Sequence, residues 1–171
     1  FAPDIDINTN PQNPIIGNRS FGESKFNVAQ KGGAFTKGMQ SVGVLACGKH
    51  FPGHGDTEKD SHKTLPTVSF SRERLESTEF FPFQKLISAG VASLMVGHLN
   101  VPALDEGKPA SISYKIVSGI IKQQLGFQGL IFSDALGMKG VADYAESSQV
   151  DLQAFLAGND VLLMSSDPIK G

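Results

Sequence analysis

Short apolar runs alternate with helix-forming segments along this chain, and that alternation limits the folds it can adopt. Runs at 42–47, 91–96, 130–132 and 161–164 have the length and branched side chains of buried strands, and a shorter strand is predicted at 1–7. Helices are predicted between them at 23–40, after Ser71, after Pro82, from Ser113 to Gly126 and at 149–157. This order indicates right-handed βαβ units and a parallel sheet covered by helices.

Two α/β folds fit this order, an eight-stranded barrel and an open doubly wound sheet. Both place functional groups at the carboxyl ends of strands. A complete barrel typically needs about 250 residues. The 171 residues here supply five βα units at most. We therefore predict one domain over residues 1–171, an internal portion of a (β/α)₈ TIM-type barrel.

Composition excludes several classes of partner. The formal net charge is -2 and the basic residues are scattered, so no stripe suited to nucleic acid is present. No apolar run reaches the roughly 20 residues that span a bilayer. The single Cys47 excludes an internal disulfide. The chain begins at Phe1 with neither an initiator Met nor a signal sequence, as a processed protein or a fragment would, so a cytoplasmic and a periplasmic location both stay open.

The segment 49–62, K-H-F-P-G-H-G-D-T-E-K-D-S-H, concentrates the polar chemistry and is predicted to be a loop after the strand at 42–47. Asp60 and His62 lie two residues apart, so in an extended chain their side chains point the same way and can hydrogen-bond. A carboxylate on one ring nitrogen makes the imidazole a proton donor and acceptor near neutral pH. The alternative is a solvated loop whose histidine has no role.

A metal site is a second interpretation of this segment. The potential zinc ligands are His50, His54, Asp56, Glu58, Asp60 and His62. They crowd one loop, whereas catalytic metal sites usually take ligands from separate elements, so we predict no metal. Gly53-His54-Gly55 lacks the Lys-Ser/Thr of a phosphate-binding loop, and it is interpreted as a tight turn in which the glycines take positive φ.

Asp134 directly follows a predicted strand. A carboxylate there can attack an electrophilic carbon in the mouth of a barrel, or it can cap the next helix. Arg19, Lys49 and His98 also follow predicted strands. Each of these three either binds substrate or satisfies buried backbone groups.

Taken together, these strings resemble glycoside hydrolase family 3, in its bacterial β-N-acetylglucosaminidase (β-hexosaminidase) branch. The resemblance rests on the segment at 49–62, on I-F-S-D-x-L-x-M-x-G at 131–140 and on A-G-N-D-V-L-L-M at 157–164, and it extends to F-A-P-D-I-D-I and I-I-G-N-R-S-F-G near the start. It implies a barrel enzyme that removes terminal β-linked N-acetylglucosamine, typically from peptidoglycan or chitin-type oligosaccharides, with retention of configuration and without cofactor or metal.

The resemblance also implies a role for each matching residue. Asp134 matches the nucleophile, His62 the acid/base and Asp60 the carboxylate that supports it. Lys49, His50 and Arg19 match residues that bind sugar hydroxyls. His98 is a further substrate-binding candidate, on the ground of its position after a predicted strand and not of the resemblance. The mechanism expected is double displacement, with Asp134 attacking the anomeric carbon while His62 protonates the departing oxygen.

Barrels of this family have earlier and later strands that these residues do not include, so activity of the piece by itself stays open, and further domains in the full-length protein are expected. A β-glucosidase or a glycoside phosphorylase on the same scaffold is the alternative within enzymes. A metal-dependent hydrolase and a non-catalytic sugar-binding domain are the alternatives from other classes.

Overall fold

The sheet consists of parallel strands that lie side by side in chain order. The computed structural model describes residues 1–57 and 65–165. Within them, one sheet contains β1 (Cys47–Phe51), β2 (Ser93–Val96) and β3 (Leu130–Ser133). Single bridges extend both edges, from Asp4 to Lys49 and from Phe132 to Val161. Five chain segments thus follow one another across the sheet, as consecutive strands of a barrel do.

Helices occupy the connections that the sequence predicts to be helical. The α-helices are α1 (Lys25–Ser41), α2 (Arg72–Arg74), α3 (Phe80–Ser88), α4 (Lys139–Ala142) and α5 (Ser147–Ala157). A π-helical turn, Leu75–Glu79, joins α2 to α3, and the connection before β3 is a π-helix, Lys115–Gln124. Short 3₁₀ turns cover Gly17–Arg19 and Ala110–Ile112. None of the helices in the described ranges combines the length and apolarity needed to cross a membrane.

The predicted helix ends are largely confirmed. The Ser71 hydroxyl accepts a hydrogen bond from the amide of Arg74, as an N-cap does. The Ser113 hydroxyl accepts one from Ile116. Gly158 ends α5 in the left-handed conformation that favours glycine. Pro82 does not open a new helix, because the π-helical turn carries the chain from α2 into α3 without a break.

The main core lies between the sheet and the helices that cover it. Phe51 of β1 packs against Phe80 and Phe83 of α3, with ring centroids 4.9 and 5.1 Å apart. A smaller apolar cluster lies under α4 and α5 and contains Ile112, Leu136, Val141, Val150 and Ala154. The contacts of Phe51 in the main core fix β1 against α3, so the residues at the end of β1 lie on a rigid element.

The strand predicted at 42–47 is displaced toward the C-terminus. It begins only at Cys47, while Val42, Val44 and Leu45 are exposed. Helix α1 continues to Ser41, and Gly43 then turns the chain with a φ of 81°. Lys49 and His50 therefore belong to β1 itself and not to a loop after it. The strand predicted at 161–164 is likewise reduced to the bridge at Val161.

Candidate active site

A cavity of about 270 Å³ opens at the carboxyl ends of the strands. Four of the predicted catalytic and substrate-binding residues line it: Arg19, Lys49, His50 and Asp134. They come from the loop before α1, from β1 and from the end of β3. The remaining lining residues are Phe1, Ile15, His54, Met95, Ala135, Leu163 and Met164. The cavity thus combines two cationic side chains, two imidazoles and one carboxylate with an apolar wall.

A shift in strand register brings two adjacent residues of β1 to this cavity. Lys49 pairs with Met95 and Phe51 pairs with Val96, so His50 has no partner in β2. Side chains of consecutive strand residues normally point to opposite faces, and an extra residue in one strand changes their direction. Lys49 and His50 consequently both line the cavity.

Asp6 organises the end of β1 from below the cavity. Its carboxylate accepts a hydrogen bond from His50 Nδ1 at 2.8 Å, one from the His54 amide at 2.7 Å and a longer one from the His50 amide. The side chain is fully buried. Burial raises the pKa of the Asp6 carboxyl, and the donated hydrogen bonds act in the opposite direction. Asp6 therefore fixes both the ring of His50 and the chain that leads to His54.

His50 is held in one tautomer. Burial lowers the pKa of its imidazole to about 4, so the ring is neutral near pH 7. Because the Asp6 carboxylate can only accept, Nδ1 carries the proton and Nε2 is left as an acceptor. A neutral imidazole in this state can accept a hydrogen bond from a hydroxyl group of a ligand.

Arg19 is paired with a second buried carboxyl. Its guanidinium lies 3.4 Å from Asp4 Oδ2, and the Arg19 side chain is 43% exposed. Burial, with the charge of Asp6 beside it, raises the pKa of Asp4 to about 7. The pair directs Arg19 while leaving part of its guanidinium accessible from the cavity.

The turn after β1 depends on two glycines for different reasons. Gly53 has a φ of 134°, as predicted, but Gly55 does not have a positive φ, so the prediction is wrong for that glycine. Gly55 allows a close approach, because a Cβ there would stand 1.9 Å from the carbonyl oxygen of Ile7. Nδ1 of His54 contacts the Thr57 hydroxyl at 2.6 Å, and burial lowers the pKa of this histidine. The turn is thereby packed onto the segment that carries Asp6.

Asp134 stands at the end of β3 with its backbone tied to β2. Its amide donates to the Val96 carbonyl at 2.9 Å, which continues the sheet ladder. Its Oδ1 accepts a hydrogen bond from the Ala135 amide at 2.8 Å. It does not cap a long helix, since α4 starts five residues later at Lys139. The carboxylate is partly accessible in the cavity.

His98 does not reach the cavity wall. It is fully buried, with Nδ1 2.7 Å from the Ser111 hydroxyl and Nε2 2.8 Å from the Ala135 carbonyl. The structure therefore places it against the backbone beside Asp134 and outside the set of residues that line the cavity. Asp60 and His62 lie outside the described residues, as does Glu58.

One group within residues 1–57 and 65–165 has the spacing of metal ligands, namely Asp4, Asp6 and His50, with ligand atoms within 4.8 Å of one another. His50 Nδ1 already bonds Asp6, and Asp4 already pairs with Arg19. Of the ligand set considered from the sequence, His54 and Asp56 do not belong to this group. The contacts in the group are those of a hydrogen-bonded support for the cavity.

Comparison with known proteins assigns the family. Residues 1–171 match the glycosyl hydrolase family 3 N-terminal domain. The chain belongs to glycoside hydrolase family 3. It is 39% identical over 176 aligned residues to β-hexosaminidase A of Pseudoalteromonas piscicida, covering 96% of this chain and 29% of that protein. The predicted barrel-type α/β fold is thereby confirmed.

Solved structures of family 3 proteins agree. The structure of a glycoside hydrolase family 3 β-N-acetylglucosaminidase from Paenibacillus sp. str. FPU-7 superposes with a TM-score of 0.93 at 42% identity. It covers 95% of this chain and 31% of the other. A structure of the β-glucoside phosphorylase BglX superposes with a TM-score of 0.95 at 29% identity, covering 99% of this chain and 32% of the other. The chain thus spans about a third of the length of these family 3 relatives.

Two structural residues of the site received no role from the sequence. The sequence analysis assigns no role to Asp4 and Asp6, which lie within the string F-A-P-D-I-D-I, whereas Asp6 is the central acceptor of the site. The signal available was the Asp-x-Asp spacing in a segment that is otherwise apolar. That spacing does not reveal its partners, which lie more than forty residues further along the chain.

Proposed function

We propose that the whole protein is a retaining exo-glycosidase that hydrolyses terminal β-linked N-acetylglucosamine, and that residues 1–171 contribute to its catalytic barrel. The observation that carries the proposal is the position of Asp134. Its carboxylate follows β3 and faces the same cavity as Arg19, Lys49 and His50. The family and the two relatives named for β-hexosaminidase and β-N-acetylglucosaminidase activity support this substrate class.

The proposed roles follow from the chemistry of each group. Arg19 and Lys49 donate charged hydrogen bonds to sugar hydroxyl groups, and His50 accepts one at Nε2. Asp134 attacks the anomeric carbon through the oxygen that the Ala135 amide does not hold, and the bond to the departing oxygen breaks. His62, supported by Asp60, gives its proton to that oxygen. In the second step His62 takes a proton from water, which attacks the anomeric carbon and releases Asp134.

A mechanism-trapping, fluorinated N-acetylglucosaminide tests the proposal in the whole protein. We expect the label on Asp134 after peptide mapping. Asp134→Gly should abolish hydrolysis, and azide should restore turnover and give the sugar azide of opposite anomeric configuration, because azide fills the space of the lost carboxylate. Asp143→Asn, an exposed carboxylate, serves as the control and should behave as the wild type. A label on another residue would remove Asp134 from the mechanism.

Removal of His62 tests the acid/base assignment separately. We expect a loss of about 10² to 10⁴ in rate with poor leaving groups, the usual size of general acid catalysis. For substrates whose leaving groups need no proton, the rate of the first step should fall much less. An equal loss for both kinds of substrate would place the acid role elsewhere.

A phosphorylase is the second candidate, because the superposed BglX structure is a β-glucoside phosphorylase. In that reaction phosphate replaces water as the acceptor. Product analysis with and without phosphate distinguishes the two. Formation of a sugar 1-phosphate in place of the free sugar would favour the phosphorylase.

A further inference from the structure

We propose that His98 is a positioning residue for Asp134, which it serves by holding the backbone of Ala135. The inference rests on the proposed role of Asp134 as nucleophile. His98 follows β2, is fully buried and lies outside the cavity lining. Its contacts run to the backbone beside Asp134 and to a buried serine.

The hydrogen bonds of His98 define its tautomer. A carbonyl oxygen can only accept, so the contact between Nε2 and the Ala135 carbonyl at 2.8 Å places a proton on Nε2. In the neutral ring Nδ1 is then an acceptor, and the Ser111 hydroxyl donates to it at 2.7 Å. The donors are thus arranged in one direction, from Ser111 through His98 to Ala135.

The same residue that His98 holds also holds the carboxylate of Asp134. The Ala135 amide donates to Asp134 Oδ1 at 2.8 Å, and the Ala135 carbonyl accepts from His98. Only the φ and ψ angles of Ala135 separate these two bonds. Fixing the carbonyl therefore restricts the direction of the amide, and with it the orientation of the carboxylate. The other oxygen, Oδ2, is left for attack.

The support behind His98 is itself anchored. Ser111 lies in the buried 3₁₀ turn Ala110–Ile112, and its carbonyl accepts a hydrogen bond from the Asn159 side chain at 2.8 Å. The amide of Asp134 is meanwhile tied to Val96. Two successive points of the Asp134 segment are thus held by groups in and after β2. Because a displacement of about 1 Å can cost 10²-fold in rate, such anchoring matters for a nucleophile.

Paired substitutions in the whole protein test the inference. His98→Gln keeps an N–H donor that can reach the Ala135 carbonyl, whereas His98→Leu removes it. We expect the trapping reagent at saturating concentration to label the Leu variant about 10²-fold more slowly than the wild type. The KM of the Leu variant for the substrate should change less than threefold. The Gln variant should be labelled at least tenfold faster than the Leu variant. Asp143→Asn is again the control.

The pH profile gives a readout that loss of folded protein would not move. A hydrogen bond to a carboxylate stabilises its charged form, so loosening the Ala135 amide should shift the acidic limb of kcat/KM to higher pH in the Leu variant. Ser111→Ala, which removes one hydroxyl, should shift the limb in the same direction by less. It provides the measurement if the Leu variant does not fold.

Two results would overturn the role of His98. One is a wild-type labelling rate and pH profile in a folded His98→Leu variant. If that variant does not fold, the same result in Ser111→Ala counts instead. The other is a change confined to KM, which would instead support direct contact with substrate. If Asp134→Gly remains active, the failure belongs to the proposed function and not to the positioning of Asp134 by His98.

Discussion

Asp6 Oδ2 lies 2.8 Å from His50 Nδ1, although 44 residues separate the two in the chain. The contact joins the first segment of the sheet to the end of β1. It orients the imidazole toward the cavity and leaves its Nε2 as an acceptor. A buried carboxylate with no cavity contact of its own thus determines how a proposed sugar-binding residue is presented.

Asp6→Asn should destabilise the protein and impair substrate binding together. An amide oxygen can accept from only part of the present donors, and the new N–H₂ group would face N–H groups. We expect a fall of about 2 to 4 kcal/mol in the free energy of unfolding, measured with urea. Asp56→Asn is the matched control, because Asp56 accepts from the Thr9 hydroxyl at a partly buried position and should cost less than about 1 kcal/mol. Equal losses in the two variants would contradict the central role of Asp6.

Lys49→Met should weaken catalysis without weakening the fold. Charge-assisted hydrogen bonds contribute about 1.5 to 3 kcal/mol, so we expect kcat/KM to fall roughly 10- to 100-fold. The control is Lys122→Met, since Lys122 forms its ion pair with Asp160 and does not line the cavity. Steady-state kinetics on an aryl N-acetylglucosaminide provides the measurement. Unchanged kinetics in the Lys49 variant would remove this residue from substrate binding.

Much of the fold could be predicted because local sequence patterns determine the order and the ends of its elements. Alternating apolar runs and helix signals give the order of elements, and the caps at Ser71 and Gly158 mark helix ends. The strand predicted at 42–47 was displaced because an apolar run alone does not show which of its residues become buried. Val44 and Leu45 are exposed, and the helix before them extends to Ser41.

The candidate site was predictable only where position along a strand was informative. Arg19, Lys49, His50 and Asp134 follow or end strands and do meet in one cavity. Asp6 and His98 differ, because their contacts, to both side chains and backbone groups, join residues far apart in sequence. Such bonds leave no local signature. The catalytic roles of all these residues, and of Asp60 and His62, stay predictions.

The adjacent glycines of α1 should respond in opposite ways to alanine. A Cβ on Gly32 would lie 2.7 Å from Ile5 Cγ2, whereas one on Gly33 would meet nothing within 4 Å. We expect Gly32→Ala to cost about 1 to 3 kcal/mol through overpacking. Gly33→Ala should add roughly 0.5 to 1 kcal/mol, because alanine loses less backbone entropy in a helix. Urea unfolding of both variants checks the pair, and a similar effect at the two sites would contradict the close packing of α1 on Ile5.

Asp4 should make the stability of the protein depend on pH between about 4 and 7. Burial and the neighbouring Asp6 raise its pKa from 3.8 to about 7, against the opposing charges of His50 and Arg19. The native state then binds this proton more tightly than the unfolded chain, so stability falls as the pH rises through that window.

Asp4→Asn does not titrate and should therefore gain stability relative to the wild type between pH 5 and pH 8, by at most about 3 kcal/mol, because about two pKa units separate pH 5 from the pKa of about 7 and each is worth roughly 1.36 kcal/mol. Asp105→Asn is the control. Burial acts to raise the pKa of Asp105, but hydrogen bonds from Lys115 and Ser113 outweigh it and hold the pKa below 3.8. The stability that ionised Asp105 contributes is then lost only below pH 5. The difference in the free energy of unfolding between Asp105→Asn and the wild type should therefore stay constant between pH 5 and pH 8. A constant difference for Asp4→Asn as well would show that Asp4 is ionised throughout, held in that state by Arg19.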